Sequence, residues 1–159
     1  MKDQDNIERF NIICDLLLEN TEIPLEGIML FSEVGPGTCT LDIYRNLWDC
    51  ALYVNDGLDD NFTEIGDEIM ALWKSEPRGK RWARIAFAVL GGMFEVAFTY
   101  PDEIKHRINP NDDPDIDMET ARNEDYDRQR EEAVRRYFGD KPIVYPPLTP
   151  PSVGQLFEL

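Results

Sequence analysis

WARIAFAVLGGMFEVAFTY, residues 82–100, is the stretch on which the fold turns. Two runs of strand-forming residues flank Gly91-Gly92. A two-residue Gly-Gly loop is a hairpin signal, because primed turns need positive φ and glycine adopts it without a Cβ penalty. The register can be tested against the side chains. If Leu90 pairs with Met93, then Val89 faces Phe94, Phe87 faces Val96, Ile85 faces Phe98 and Ala83 faces Tyr100. These four facing pairs share one side of the hairpin and all are apolar or aromatic, so turn and pattern agree. The other side carries Trp82, Arg84, Ala86, Ala88, Glu95, Ala97 and Thr99. It is small and mixed, suited either to a helix laid across it or to water.

Upstream of the hairpin, Ile7, Phe10, Ile13, Cys14 and Leu17 recur at helical spacing and predict a helix over 4–20. Strands are expected over 27–34, 38–44 and 47–54, with Gly35-Pro36-Gly37 turning the chain between the first two. A second helix over 59–74 buries Phe62, Ile65, Ile69, Leu72 and Trp73. On another of its faces Asp60, Glu64, Asp67 and Glu68 fall at i, i+4, i+7 and i+8. Downstream, residues 101–118 read as a polar loop, and 119–138 as a charge-dense third helix ended by Gly139 at the C′ position. Its apolar stripe is narrow: Tyr126, Ala133, Val134, Tyr137 and Phe138. Residues 141–159 form a proline-rich, extended tail draped over the domain through Ile143, Val144, Tyr145, Leu156 and Phe157. The expectation is a single α+β domain over 1–159: an antiparallel sheet of about five strands packed by an N-terminal, a central and a C-terminal helix.

With 159 residues the chain can bury roughly 70% of its unfolded surface and needs no disulfide or metal staple. Its charge is unusual. Thirty-two acids against 16 bases give −16, which disfavours nucleic acid and anionic membranes and steers basic partners inward. Cys14, Cys39 and Cys50 are odd in number and widely spaced, which reads as reduced, mostly buried thiols in a cytoplasmic protein. The opening residues lack the pattern of a signal peptide, and the longest apolar run is too short to span a bilayer.

The residue types restrict the chemistry. His106 is the one histidine and falls in the polar loop, so paired-base and His-ligated zinc sites have no second member. Gly35-Pro36-Gly37 lacks the Gly-Lys-Ser/Thr of a phosphate loop. Asp113, Asp115, Asp117 and Glu124 match positions 1, 3, 5 and 12 of a calcium loop, but Met118 stands where glycine makes the turn and Pro114 stiffens position 2. They read as a solvated acidic loop. The basic cluster Arg78, Lys80, Arg81 and Arg84 reads as neutralising local acids. No metal or cofactor site and no catalytic group is expected.

The hairpin and the segment after it resemble the YezG-like immunity family, antidotes to polymorphic toxins such as those of contact-dependent growth inhibition in bacteria. The resemblance rests on Trp82 opening a strand, the glycine turn, the aromatic strand from Phe94 to Tyr100 before Asp102, and Arg135-Arg136-Tyr137-Phe138-Gly139 followed by Pro142. It also rests on the order of helices and strands. It implies a non-catalytic cytoplasmic protein that binds one cognate toxin domain, often a nuclease with a basic cleft, and needs no cofactor. Acidic side chains would then stand where substrate phosphates sit. The contact surface expected on that basis is Asp60, Glu64, Asp67 and Glu68, then Asp102, Glu103, Asp112 and Asp113, with Trp48, Tyr53 or Tyr100 as aromatic anchors and core packing as the alternative for each aromatic. The competing readings are a carboxylate-metal hydrolase or phosphodiesterase, and a general acidic adaptor for basic proteins.

Overall fold

A computed structural model describes residues 2–19, 27–54, 60–104 and 118–145. In chain order the elements are α1 (Lys2–Leu18), β1 (Ile28–Gly35), β2 (Thr38–Cys39), β3 (Asp42–Asn46), β4 (Ala51–Tyr53), α2 (Asp60–Lys74), β5 (Arg84–Leu90), β6 (Met93–Thr99), a 3-10 turn at Pro101–Glu103, α3 (Met118–Phe138) and β7 (Ile143–Val144). The fold is α+β, as expected.

The hairpin register is the one read from its side chains from Leu90 back to Ile85, but the expected pairing of Ala83 with Tyr100 is not formed: β6 ends at Thr99, whose carbonyl accepts from the Ala83 N–H at 2.7 Å. Leu90 pairs with Met93, Val89 with Phe94, Phe87 with Val96 and Ile85 with Phe98. Gly91 and Gly92 take φ of 56° and 81°, the two positive angles a type I′ turn requires. The sheet order is β6-β5-β1-β3-β4-β7, with β2 paired to β1 alone. All pairings are antiparallel except β4 with β7. Among the described residues the sheet has seven strands rather than about five. The expected 38–44 strand divides into β2 and β3. The expected 47–54 strand shrinks to β4, because the backbone turns first: Leu47 N–H bonds the Cys50 carbonyl at 2.9 Å. The start of the tail joins the sheet as β7, where Ala51 N–H bonds the Pro142 carbonyl at 2.8 Å and Lys141 Nζ holds Asn46 Oδ1 at 2.7 Å. The tail beyond Tyr145 lies outside the described residues.

Alternation along the strands gives the sheet two different faces. Ile28, Leu30, Ile43, Ile85, Phe87 and Val89 meet Ile13 and Leu17 of α1 and Ile65, Ile69 and Leu72 of α2 in the main core. Phe10 of α1 packs on Phe87 and Phe94, ring centroids 5.9 and 5.7 Å away. The opposite face, with Met29, Phe31, Tyr44, Ala86 and Ala88, receives Val134 and Phe138 of α3. Of the two covers considered for the small mixed face, the helix is the one found. Trp82 departs from that reading: it precedes β5, escapes the alternation, and packs in the main core, where its carbonyl accepts from Trp73 Nε1 at 2.8 Å. Gly139 ends α3 with φ 89°, its N–H bonded to the Arg135 carbonyl at 2.9 Å. Among the described residues no helix is long and apolar enough to cross a membrane.

Candidate functional site

The expected acidic surface is only partly assembled. Asp60 begins α2. Glu64 and Asp67 are exposed on that helix and make no ion pair among the described residues. Glu68 turns toward α1, is half-buried and pairs with Arg9 at 3.2 Å. Asp102 and Glu103 are exposed in the 3-10 turn, where Glu103 Oε1 accepts from the Tyr100 N–H at 2.8 Å. Asp112 and Asp113 lie outside the described residues, as do His106 and the Asp113, Asp115 and Asp117 of the calcium-loop pattern.

Asp102 lines a cleft that also holds basic side chains. It measures about 1260 Å³ and brings Lys74, Arg78 and Arg81 together with Trp82, Tyr100 and Asp102. Lys74 is seven residues beyond Asp67, roughly 10 Å along the helix axis. Asp102 thus shares its cleft with basic side chains, and none of Glu64, Asp67 and Glu68 lines it. This divides the expected role of the basic cluster. Arg84 does neutralise acids. Arg81 instead caps the end of α2, donating to the Glu76 carbonyl at 3.0 Å with its guanidinium over Trp73, while Arg78 and Lys80 are exposed without an ion pair among the described residues.

The aromatic anchors also separate. Trp48 is 96% exposed in the turn before β4, whereas Tyr53 is held inward by its hydroxyl on Asp42 Oδ1 at 2.7 Å. Tyr100 is 39% exposed and lines the cleft, because β6 ends at Thr99 and the chain turns outward.

A buried polar network under α3 was not legible as a unit. Arg84, fully buried on β5, donates to Glu33 Oε2 and to Asp125 Oδ2, both at 2.8 Å, and to Gln129 Oε1 at 2.6 Å. Gln129 in turn donates to Thr99 Oγ1 at 2.6 Å, and Asp125 also binds Arg128. Beside it, Asp42 accepts from Tyr53 and Tyr126, and Tyr126 contacts Thr40 at 2.9 Å. Tyr44, Tyr145 and Glu131 form a further chain with steps of 2.9 and 2.8 Å. The signal available in the sequence was an arginine between strand residues on the hairpin's mixed side.

The network's chemistry is structural. Burial first, then Asp42, pushes the Tyr53 and Tyr126 hydroxyls well above the ordinary tyrosine value. Burial and the Tyr145 hydrogen bond do the same for Tyr44. These phenols stay protonated at neutral pH and serve as donors rather than bases. The cysteines are free and half-buried, less covered than the sequence suggested. Burial, with Asp15, Asp67 and Asp49 nearby, raises the thiol pKa values, which disfavours the nucleophilic thiolate. Among the described residues no group of three His, Cys, Asp or Glu side chains could hold a metal ion. Comparison with protein-family models and with curated proteins finds no match.

Proposed function

We propose that this chain is an immunity protein that binds a cognate secreted toxin, a basic nuclease domain, and neutralises it by covering its active site or substrate surface. The observation that carries the reading is the pair of exposed carboxylates Glu64 and Asp67 on α2, without ion pairs among the described residues, in a chain of net charge −16. Four like charges at helical neighbour spacing cost helix stability, so an acidic face of this kind gains most when a cationic partner covers it. Glu68 belongs to the fold through Arg9 and contributes less to such a face. Attraction between a −16 protein and a cationic nuclease speeds association toward roughly 10⁸ M⁻¹s⁻¹ at low salt. Partner carboxylates in a nuclease cleft compete with phosphate for the same donors.

The test is capture of the partner with the gene immediately upstream co-expressed, washed at moderate and then high salt. Recovery of one stoichiometric partner that survives high salt is the expected result. A salt-labile mixture of basic proteins would instead identify an adaptor, since weak screened attraction alone disappears within a few Debye lengths. The double variant Glu64→Lys/Asp67→Lys should slow association by about tenfold or more at low salt, with the folded state intact, as read by stopped-flow kinetics and thermal unfolding. Unchanged association kinetics would remove α2 from the interface.

A further inference from the structure

Among the described residues the strand β6 stands at the end of the sheet and pairs with β5 alone. The hairpin turn sets which backbone groups that pairing uses. Leu90 and Met93 close a two-residue loop as a hydrogen-bonded pair, so Glu95, Ala97 and Thr99 also direct their N–H and C=O groups at β5. The alternate residues Phe94, Val96 and Phe98 direct theirs away from the sheet. No backbone hydrogen bond from those three joins another described segment. The opposite end of the sheet is handled differently, since β7 is only two residues long. β6 runs for seven residues, carries one charge, Glu95, and contains no proline or lysine to discourage pairing. Met93 at its start is 74% exposed.

A second feature lies alongside. Ile7 and Phe10 of α1, with Trp82, Phe98 and Tyr100, line a pocket of about 300 Å³. Ile7 is 54% exposed there. Phe98 belongs both to this pocket and to the outward-facing backbone set. A strand laid along β6 would therefore place every second side chain toward α1 and one of them at this pocket. An open strand edge beside a helix, with a pocket for alternate side chains, is the arrangement by which sheets take up extended peptides: main-chain bonds give affinity and the pocket gives selectivity.

We infer that β6 is a docking edge that takes an extended segment of a basic protein partner as an added antiparallel or parallel strand, with one aliphatic side chain of that segment in the pocket between Ile7 and Phe98. Charge selects the occupant. Glu95 on β6 and Asp102 just beyond it are exposed, while Arg9 is engaged with Glu68 and Arg81 with the end of α2. Exposed Lys74 and Arg78 belong to the cleft that shares Trp82 and Tyr100 with the pocket, so the preference for a cationic segment rests on the edge acids and the net charge of −16. A second copy of the chain would bring another −16 to the same edge. The inference rests on the proposed function only for the identity of the partner; the docking edge itself rests on topology, backbone pairing and the pocket.

The experiment is amide hydrogen exchange on the full chain, free and with a blocked heptapeptide that alternates lysine with valine or isoleucine. In the free protein the amides of Phe94, Val96 and Phe98 should exchange fast and those of Glu95, Ala97 and Thr99 slowly. The peptide should slow the first set by about tenfold or more and leave the second set unchanged. A matching peptide with glutamate in place of lysine should have no effect. Val96→Pro removes an outward N–H, a substitution edge strands tolerate, and should abolish the slowing while the Glu95 and Ala97 amides stay protected. Should that variant unfold, Ile7→Lys, on the outer face of α1, keeps the question open to test and should weaken the same slowing. Fast exchange of all three outward amides with either peptide, or equal slowing by both peptides, would overturn the inference. So would concentration-dependent dimerisation abolished by Val96→Pro, which would make a second copy the occupant. Capture of the partner by Val96→Pro with unchanged affinity would overturn this docking edge and leave the proposed function standing. Peptide-induced protection without any captured toxin would do the reverse.

Discussion

On one side of the sheet, Phe87, Ile85, Val89 and Leu30 meet α1 and α2 through carbon alone; on the other, Arg84, braced by Glu33, meets Asp125 and Gln129 of α3 through charge and hydrogen bonds. Both sets are buried beneath helices, yet their energetics differ. The first gains roughly 1.5–3 kcal/mol for each large side chain removed from water. The second gains little net, since the cost of stripping water from Arg84 and Asp125 offsets most of their attraction. The polar face therefore serves placement more than stability. It binds the middle of α3 at Asp125, Tyr126, Gln129 and Arg130, while Val134 and Phe138 anchor the C-terminal end by packing. A helix with so narrow an apolar stripe could rotate or slide on carbon contacts alone; directional bonds to Arg84, Asp42 and Thr99 give it one register.

The comparison is sharpest in two substitutions of similar size and different rescue. Phe87→Ala should cost about 3–5 kcal/mol through transfer and cavity terms, measured by urea unfolding, with no dependence on any second polar change. Arg84→Met should also cost about 3–5 kcal/mol, because buried Asp125 would lose the inner of its two arginine partners and keep only the more exposed Arg128. Adding Asp125→Leu should recover most of that loss. If the pair of changes remains as unstable as Arg84→Met alone, the polar face is a source of stability after all.

Tyr126→Phe should cost about 1–3 kcal/mol by leaving Asp42 and Thr40 short of a partner. It should also change the alkaline limb of the stability profile. Tyr53 and Tyr126 have pKa values raised by folding above the ordinary value of about 10. Above that pH the unfolded chain loses phenolic protons that the folded chain keeps, so fewer protons are bound in the unfolded state and stability falls as pH rises. Below it their contribution is complete. Equilibrium unfolding at successive pH values should show the decline beginning near pH 10, and Tyr126→Phe should make it shallower. The smallest effect is expected from Glu68→Ala. Its pairing with Arg9 is partly solvated and should be worth about 0–1 kcal/mol in the same unfolding assay.

Much of the first face was legible because it depends on local periodicity. The Gly91-Gly92 turn dictated the register, and the alternation about it named Ile85, Phe87, Val89, Phe94, Val96 and Phe98 as one apolar set. The helices followed from their stripes. The misreadings fall where an element is too short for a period. Residues 47–54 carry strand-forming side chains, but a turn at Leu47–Cys50 leaves only Ala51–Tyr53 in the sheet. Trp82 was assigned by alternation to the wrong side because it precedes the strand.

The site was less legible for the same reason. Spacing placed Glu64, Asp67 and Glu68 on a common helical sector, yet no local rule could show that Arg9, fifty-nine residues earlier than Glu68, would engage that carboxylate. Nor could it show that Lys74 and Arg81 would share a cleft with Asp102. The sequence by itself determined the α+β class, the hairpin register, the helix faces and the strong negative charge, because each follows from neighbours a few residues apart or from simple summation. Tertiary structure alone decided that Arg84 is buried rather than solvated, that Tyr100 turns outward, and that β6 ends the sheet beside a pocket formed with α1. Those outcomes depend on which distant segments pack together, and that choice is made by the lowest free energy of the whole chain rather than by any one stretch of it.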